Sequence, residues 1–348
     1  MTDLIETLLG IAPGTGLALL RAERAAIRDH AQGANEALLT PVDPGGVSLA
    51  ERANLAVLVA ELEGEAALAA HFHALSPAPA GSARLELLRR YAGTVATRPD
   101  QVGQAGIDAL SAAGLTARDI VAVTQLVAFV PYQVRLLAGL RAMQGRAASD
   151  SPVPAPAPVA FTMQEVGWTP RLPPVDAATA SPAQLAALDA CPPAVRRSSY
   201  FLTLAHDPAS LEERGALFNS VMYAPRGLPR ADRELATAIV SMVNGCVYCC
   251  SVHARRFAEL SHEPAVMQAL LEQGFAAPLS ARRQAILAFA AKLTATPGAI
   301  GHADLAPLQA AGLVPMELLD LVHAIAMFAN ANRLMQALGE SVVPVPMG

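Results

Sequence analysis

The sequence is poor in aromatic side chains, at 4%, and in charged ones, at 16%. It holds one tryptophan and four cysteines in 348 residues. No stretch alternates apolar and polar residues over a useful length, so no strand is predicted. A hydrophobic share of 53% with so little charge excludes a disordered chain. The net charge of −5 offers no electrostatic footprint for nucleic acid. The first ten residues, MTDLIETLLG, contain two acids and no basic region, so no targeting signal is read there. Leu235 to Val252 is the longest charge-free run around the cysteines. It contains Asn244, Gly245 and three thiols, and reads as buried helix rather than a membrane span. Four cysteines in a chain of this size do not make a disulfide scaffold. A reducing, cytoplasmic setting is expected, where a C-x-x-C is catalytic or metal-binding more often than a structural crosslink.

What remains is alanine- and leucine-rich helical sequence, and an all-α fold is expected. Helix is predicted from Ile5 to about Asn35, broken near Pro13-Gly14. Ser48-Leu49-Ala50-Glu51 has the form of a capping box, opening a long helix to about Leu75 with Gly64 in its middle. Pro77 to Gly81 reads as a loop. Further helices run from about Ala83 to Thr94, on to Ala113 and, after the stop Ala113-Gly114-Leu115, from about Thr116 to Gln144. Residues 149–159 form a Pro/Ala-rich linker. The predicted division is therefore 1–148, a linker at 149–159, and 160–348. Residues 160–183 look irregular, and helix resumes at about Pro182.

The second unit repeats the first. Glu51-Arg52 matches Asp232-Arg233 at an offset of 181, and the same offset carries Gly64 onto Gly245. YAGTVATRP (91–99) matches FAAKLTATP (289–297) at 198, as AAGL at 112–115 matches AAGL at 310–313 and Arg135 matches Arg333. The offsets differ by 17 residues, most simply an extra helix between Ser261 and Gly274. A tandem duplication of one helical unit is expected, the two copies packing as a pseudo-dimer.

Asp232 to Phe257 concentrates the chemistry. Glu234 lies twelve residues before Cys246, and Cys249 and His253 follow. Asn244-Gly245 separates an apolar helix from one that begins with the cysteines. At about 100° per residue, Cys246, Cys249 and His253 fall within roughly 60° of one another. A thiol at a helix N-terminus, near an imidazole, is placed to form a thiolate. The first unit has Ala53, Glu65, Leu68 and Phe72 at the corresponding positions, so it keeps the scaffold and lacks every reactive group.

Two buried cysteines could simply pack as small hydrophobes. The functional reading is a dithiol in which one thiolate attacks an electrophilic oxygen and the other closes a disulfide. Zinc is the chemical alternative, with Cys246, Cys249 and His253 as three ligands, although no second ligand pair is visible. His253 one turn beyond Cys249 can take the thiol proton, and Glu234 can orient His253 if their helices pack together. Cys250 points about 100° away from Cys249 and reads as a packing residue. Cys191, His71 and His73 are expected to have no chemical role.

Glu234, Cys246, Cys249 and His253 form E-x11-C-x-x-C-x3-H. With FNSVMYAPRGLPRADRELATAIVSMVNGCVYC and FANANRLMQALG, this pattern resembles the alkyl hydroperoxidase D-like proteins of the carboxymuconolactone decarboxylase-like superfamily, in their peroxidase-related branch. HAQGANEALLTPVDPGGVSLAER in the first unit is similar to a thiol-free domain of that superfamily. The resemblance implies tandem all-α domains and peroxide reduction, with Cys249 attacking, Cys246 resolving, and Glu234 with His253 relaying protons. It implies no haem, flavin or metal cofactor, and recharging by an external thiol or lipoyl-type reductant. It also implies a homo-oligomer, a trimer before a dimer. Many members have a histidine between the cysteines, where this chain has Tyr248; that departure implies slower turnover or another electrophile. A redox sensor without turnover, and decarboxylase-type chemistry on another small molecule, are the other readings.

Overall fold

The computed structural model describes residues 3–76, 81–191 and 196–344, and most of them are helical. The first unit runs α1 (Leu4–Leu9), α2 (Gly16–Glu23), α3 (Ala25–Leu39), α4 (Leu49–Leu62), α5 (Ala66–Leu75), α6 (Ala83–Thr97), α7 (Gly103–Ala112) and α8 (Ala117–Met143). After β1 (Gly167–Pro170), the second unit has α9 (Pro182–Asp189), α10 (Ser199–Leu204), α11 (Pro208–Met222), α12 (Arg230–Val243) and α13 (Val247–Ser261). It continues with α14 (Pro264–Gln273), α15 (Ala281–Ala295), α16 (Ala306–Ala310), α17 (Pro315–Leu338) and β2 (Gly339–Val342).

Three expectations need correction. The helix predicted from Leu49 to Leu75 is two helices, because Gly64 turns the chain through a left-handed φ of 73°. Gly245 does the same with φ 71° between α12 and α13, so the matched glycines make matched turns. The N-terminal helical region is in three pieces rather than two. The absence of strands is also overturned: β1 pairs antiparallel with β2, Gly167 opposite Val342 and Pro170 opposite Gly339. Four-residue strands are too short to reveal a period of two. Of the predicted loop at 77–81, residues 77–80 lie outside the described residues. The capping box at Ser48 and Glu51 is present, and α14 is the helix that the 17-residue offset difference demanded.

The two units pack as copies of one another. α8 lies against α17, its counterpart, and α3 against α11. Within each unit the equivalent contacts recur: α4 with α5, α6 and α8, and α12 with α13, α15 and α17. α8 is long and apolar enough to cross a membrane, yet its whole apolar stretch is buried inside the protein. A helix apolar on every side needs neighbours on every side, and α17 with the first-unit helices supplies them. The backbones come close where they cross: a Cβ on Gly139 would sit 2.5 Å from a methyl of Val322.

Matched arginines lock this pairing. Arg135 donates to the carbonyl of Thr294 at 2.8 Å, and Arg333 to that of Ala96 at 2.8 Å, each reaching the end of a helix in the other unit. Glu63 lies between them, 2.6 Å from Arg135 and 3.2 Å from Arg333. Burial and the charge of Arg135 push the Arg333 guanidinium down to about 10, and Glu63 opposes both. Glu63→Gln should leave two buried cations uncompensated, at a cost of about 3–5 kcal/mol. Denaturant unfolding of the full chain checks this; a loss below about 1 kcal/mol, the level of an exposed pair, would show that Glu63 does not hold the units together.

Residues 149–159 have no helix or strand and lie along the second unit. The Ser149 amide donates to the carbonyl of Ala299 and the Ala157 amide to that of Met242. The segment before α9 is less irregular than its sequence implied. Arg171 caps the C-terminal carbonyls of α17, donating to Gln336 at 2.5 Å, and the Trp168 indole donates to Met335 at 2.9 Å. β2 then reaches α13, where the Tyr248 amide donates to the Ser341 hydroxyl at 3.3 Å.

Candidate active site

α12 delivers Glu234 from its first turns, and the Gly245 turn reverses the chain so that α13 packs beside α12. The turn is fixed from α17. The Asn244 side chain donates to Asn332 at 2.9 Å, and Gln336 donates to the Asn244 carbonyl at 3.1 Å. Cys246 is the residue just before α13, with extended backbone (φ −82°, ψ 92°), and Cys249 stands in the first helical turn. The helical projection therefore holds for Cys249 and His253, while Cys246 reaches them from the cap. Its Sγ donates to Cys249 Sγ at 2.7 Å. Both thiols are free and buried.

Burial, reinforced by the hydrogen bond it gives Cys249, pushes the Cys246 thiol well above the ordinary range. The helix N-terminus does not lower it, contrary to expectation: desolvation in a site this enclosed outweighs a partial dipole charge. Cys246 rests as a protonated donor. Cys250 is fully buried, and burial raises its pKa too. Among the described residues no group of three or more His, Cys, Asp or Glu could hold a metal ion.

Glu234 and His253 do meet. The imidazole Nδ1 is 2.5 Å from Glu234 Oε2, with the carboxylate wholly buried. Arg230, one turn earlier on α12, donates to Glu234 Oε1 at 2.5 Å, and its guanidinium stacks 4.1 Å from the Tyr223 ring centroid. Burial raises the Glu234 pKa, but the hydrogen bond and charge of His253, with those of Arg230, more than offset this and hold it below the usual carboxylate range. An ionised carboxylate can only accept, so Nδ1 carries a proton and Nε2 is the nitrogen left facing the site. Phe328 packs edge-on at 4.4 Å between ring centroids and fixes the imidazole plane.

Sequence reasoning missed Arg230, although its i,i+4 spacing to Glu234 was a usable signal. It also missed Arg214, whose position in the cleft no spacing could reveal. No hydrogen bond joins His253 directly to Cys249 among the described residues. The two side chains share an inner pocket of about 180 Å³ with Tyr200, Tyr248, Phe328 and Met335. It shares Phe201, Arg214, Phe218, Val252 and His253 with a larger cleft of about 470 Å³, which Glu234, Arg230, Tyr223 and Cys191 also line. The larger volume does not reach Cys249, so the inner pocket is where a thiol reaction has room. Tyr248 is half-buried there, and burial raises its pKa, so its phenol stays protonated. Neither space is lined by the first unit, which supports the second without forming a wall of the pocket.

Residues 208–292 match the carboxymuconolactone decarboxylase family, a span containing all four predicted site residues. The chain is 30% identical to an uncharacterized peroxidase-related protein from Silicibacter sp. TM1040, over 37% of this chain and 68% of that one, with a TM-score of 0.35. It is 27% identical to an alkylhydroperoxidase AhpD core, an uncharacterized peroxidase-related protein from Ralstonia eutropha JMP134, over 40% and 73% of the two chains, with a TM-score of 0.38. No curated protein matches the chain. The chain belongs to the carboxymuconolactone decarboxylase and alkyl hydroperoxidase D-like superfamily.

Proposed function

We propose that the protein is a thiol-dependent peroxidase that reduces hydroperoxides through Cys249 and Cys246. The approach of the two sulfurs to 2.7 Å, in a pocket shared with His253, carries this reading. His253 takes the Cys249 proton through a water, and the resulting thiolate attacks the outer peroxide oxygen; an S–O bond forms and the O–O bond breaks. The departing alkoxide takes a proton from the imidazolium of His253, through a water, and leaves as the alcohol. Cys246 then attacks the Cys249 sulfenic acid, forming the disulfide and releasing water. An external dithiol of the lipoyl type reduces the disulfide and is itself oxidised. Glu234, held by Arg230, keeps the histidine in the required tautomer and stabilises its protonated form.

Steady-state consumption of cumene hydroperoxide with dihydrolipoamide tests this, and many turnovers per chain are expected. Consumption that stops after one equivalent would contradict a peroxidase and fit a redox sensor. Decarboxylase-type chemistry would instead survive loss of both thiols. The proposal includes a division into units 1–148 and 160–348, a cytoplasmic setting, and a homo-oligomer, a trimer before a dimer, which the solution mass of the full chain decides.

A further inference from the structure

We infer that the cleft takes a carboxylate-bearing organic hydroperoxide and that Arg214 receives the carboxylate; this rests on the peroxidase reading above. Arg214 lies on α11 and lines both the outer cleft and the inner pocket that holds Cys249. It is only 7% exposed, its Nε has no hydrogen-bond partner, and among the described residues its guanidinium makes no ion pair. Its Cζ lies 5.4 Å from the centroid of the Tyr200 ring. A buried guanidinium without an acceptor is costly, and a bound anion removes that cost.

The other charges of the cleft do not answer it. Glu234 is held by Arg230 and His253, and Glu259 by Arg256 at 2.7 Å, while Arg255 donates to the Ser251 carbonyl at 3.4 Å. The cleft therefore carries an excess of positive charge, with the most enclosed cation unsatisfied. One planar guanidinium matches a carboxylate, which it can hold through two parallel hydrogen bonds; a dianionic phosphate calls for more than one cation. Phe201, Phe218 and Tyr223 line the rest of the space and suit an apolar body. A substrate anchored at Arg214 would extend its peroxide toward Cys249.

The test compares linoleic acid hydroperoxide with its methyl ester on the full-length protein. The wild type should show a KM about 10–100-fold lower for the acid than for the ester, the range of a hydrogen bond to a charged group. Arg214→Gln should erase that difference, raising the KM for the acid to that of the ester. Equal KM for acid and ester in the wild type would overturn the inference, whether or not the variant folds. Protection of Cys249 from iodoacetamide by decanoate gives a readout independent of turnover. Protection in the wild type and its loss in Arg214→Gln support the anion site even if no hydroperoxide is consumed, which would sink only the peroxidase reading. Stronger protection by decyl phosphate than by decanoate would overturn the carboxylate assignment.

Discussion

Cys249→Ser should abolish hydroperoxide turnover, while Cys246→Ser should react once and stop. The asymmetry follows from the roles proposed for the two sulfurs. Cys249 shares the inner pocket with His253, whereas Cys246 lies behind it at the helix cap, wholly buried and held protonated by desolvation. A serine at 249 removes the nucleophile, and Cys246 cannot replace it without giving up a proton that burial holds. A serine at 246 leaves the first step intact and removes only the resolving thiol. Mass spectrometry after one equivalent of cumene hydroperoxide should find one added oxygen on Cys249 in Cys246→Ser, and none in Cys249→Ser. Turnover retained in Cys249→Ser would exchange the roles or remove the dithiol from the reaction.

Glu234→Gln should damage both catalysis and stability. The amide of Gln can turn either its oxygen or its NH2 toward Nδ1, so the tautomer of His253 is no longer dictated, and among the described residues Arg230 loses its one acidic partner. Turnover should fall by about 10²-fold or more, the scale of general acid–base catalysis, and alkylation of Cys249 at neutral pH should slow in the same direction. His253→Ala should lose at least as much activity, since it removes the base itself. The stability cost should be about 3 kcal/mol, at the low end for a broken buried pair because Arg230 remains partly exposed. The pH dependence has a definite sign. The Glu234 pKa is depressed in the folded protein, so its stabilisation is complete above the ordinary carboxylate value of about 4.3 and is lost as pH falls through the folded value. The stability gap between wild type and Glu234→Gln should therefore close on acidification. A gap independent of pH would mean that the carboxylate is not ionised in the fold.

Much of this was legible in the sequence because the duplication made it so. The duplication matched Gly64 to Gly245 and Arg135 to Arg333, and each pair proves equivalent in the fold, although the sequence reads Gly64 as the middle of one helix rather than a turn. The 17-residue difference in offset located α14. Local spacing also placed Cys249 and His253 correctly, since both lie on one helix. Reasoning failed where the answer depended on enclosure or on contacts distant in sequence. The N-terminal dipole effect expected at Cys246 was outweighed by desolvation, which no linear pattern measures. Arg214 is 32 residues before Cys246, and only the packing of α11 carries it into the pocket. The two short strands follow from contacts between Trp168 and the end of α17, which join residues 167 positions apart.

The most direct measurement is a thiol count with peptide mapping on anaerobic wild-type protein given one equivalent of cumene hydroperoxide. The four free thiols per chain should fall to two, with Cys246 and Cys249 recovered as a single disulfide-linked peptide and Cys191 and Cys250 unchanged. Four thiols retained, or Cys191 oxidised as fast as Cys249, would contradict the dithiol cycle proposed for this site.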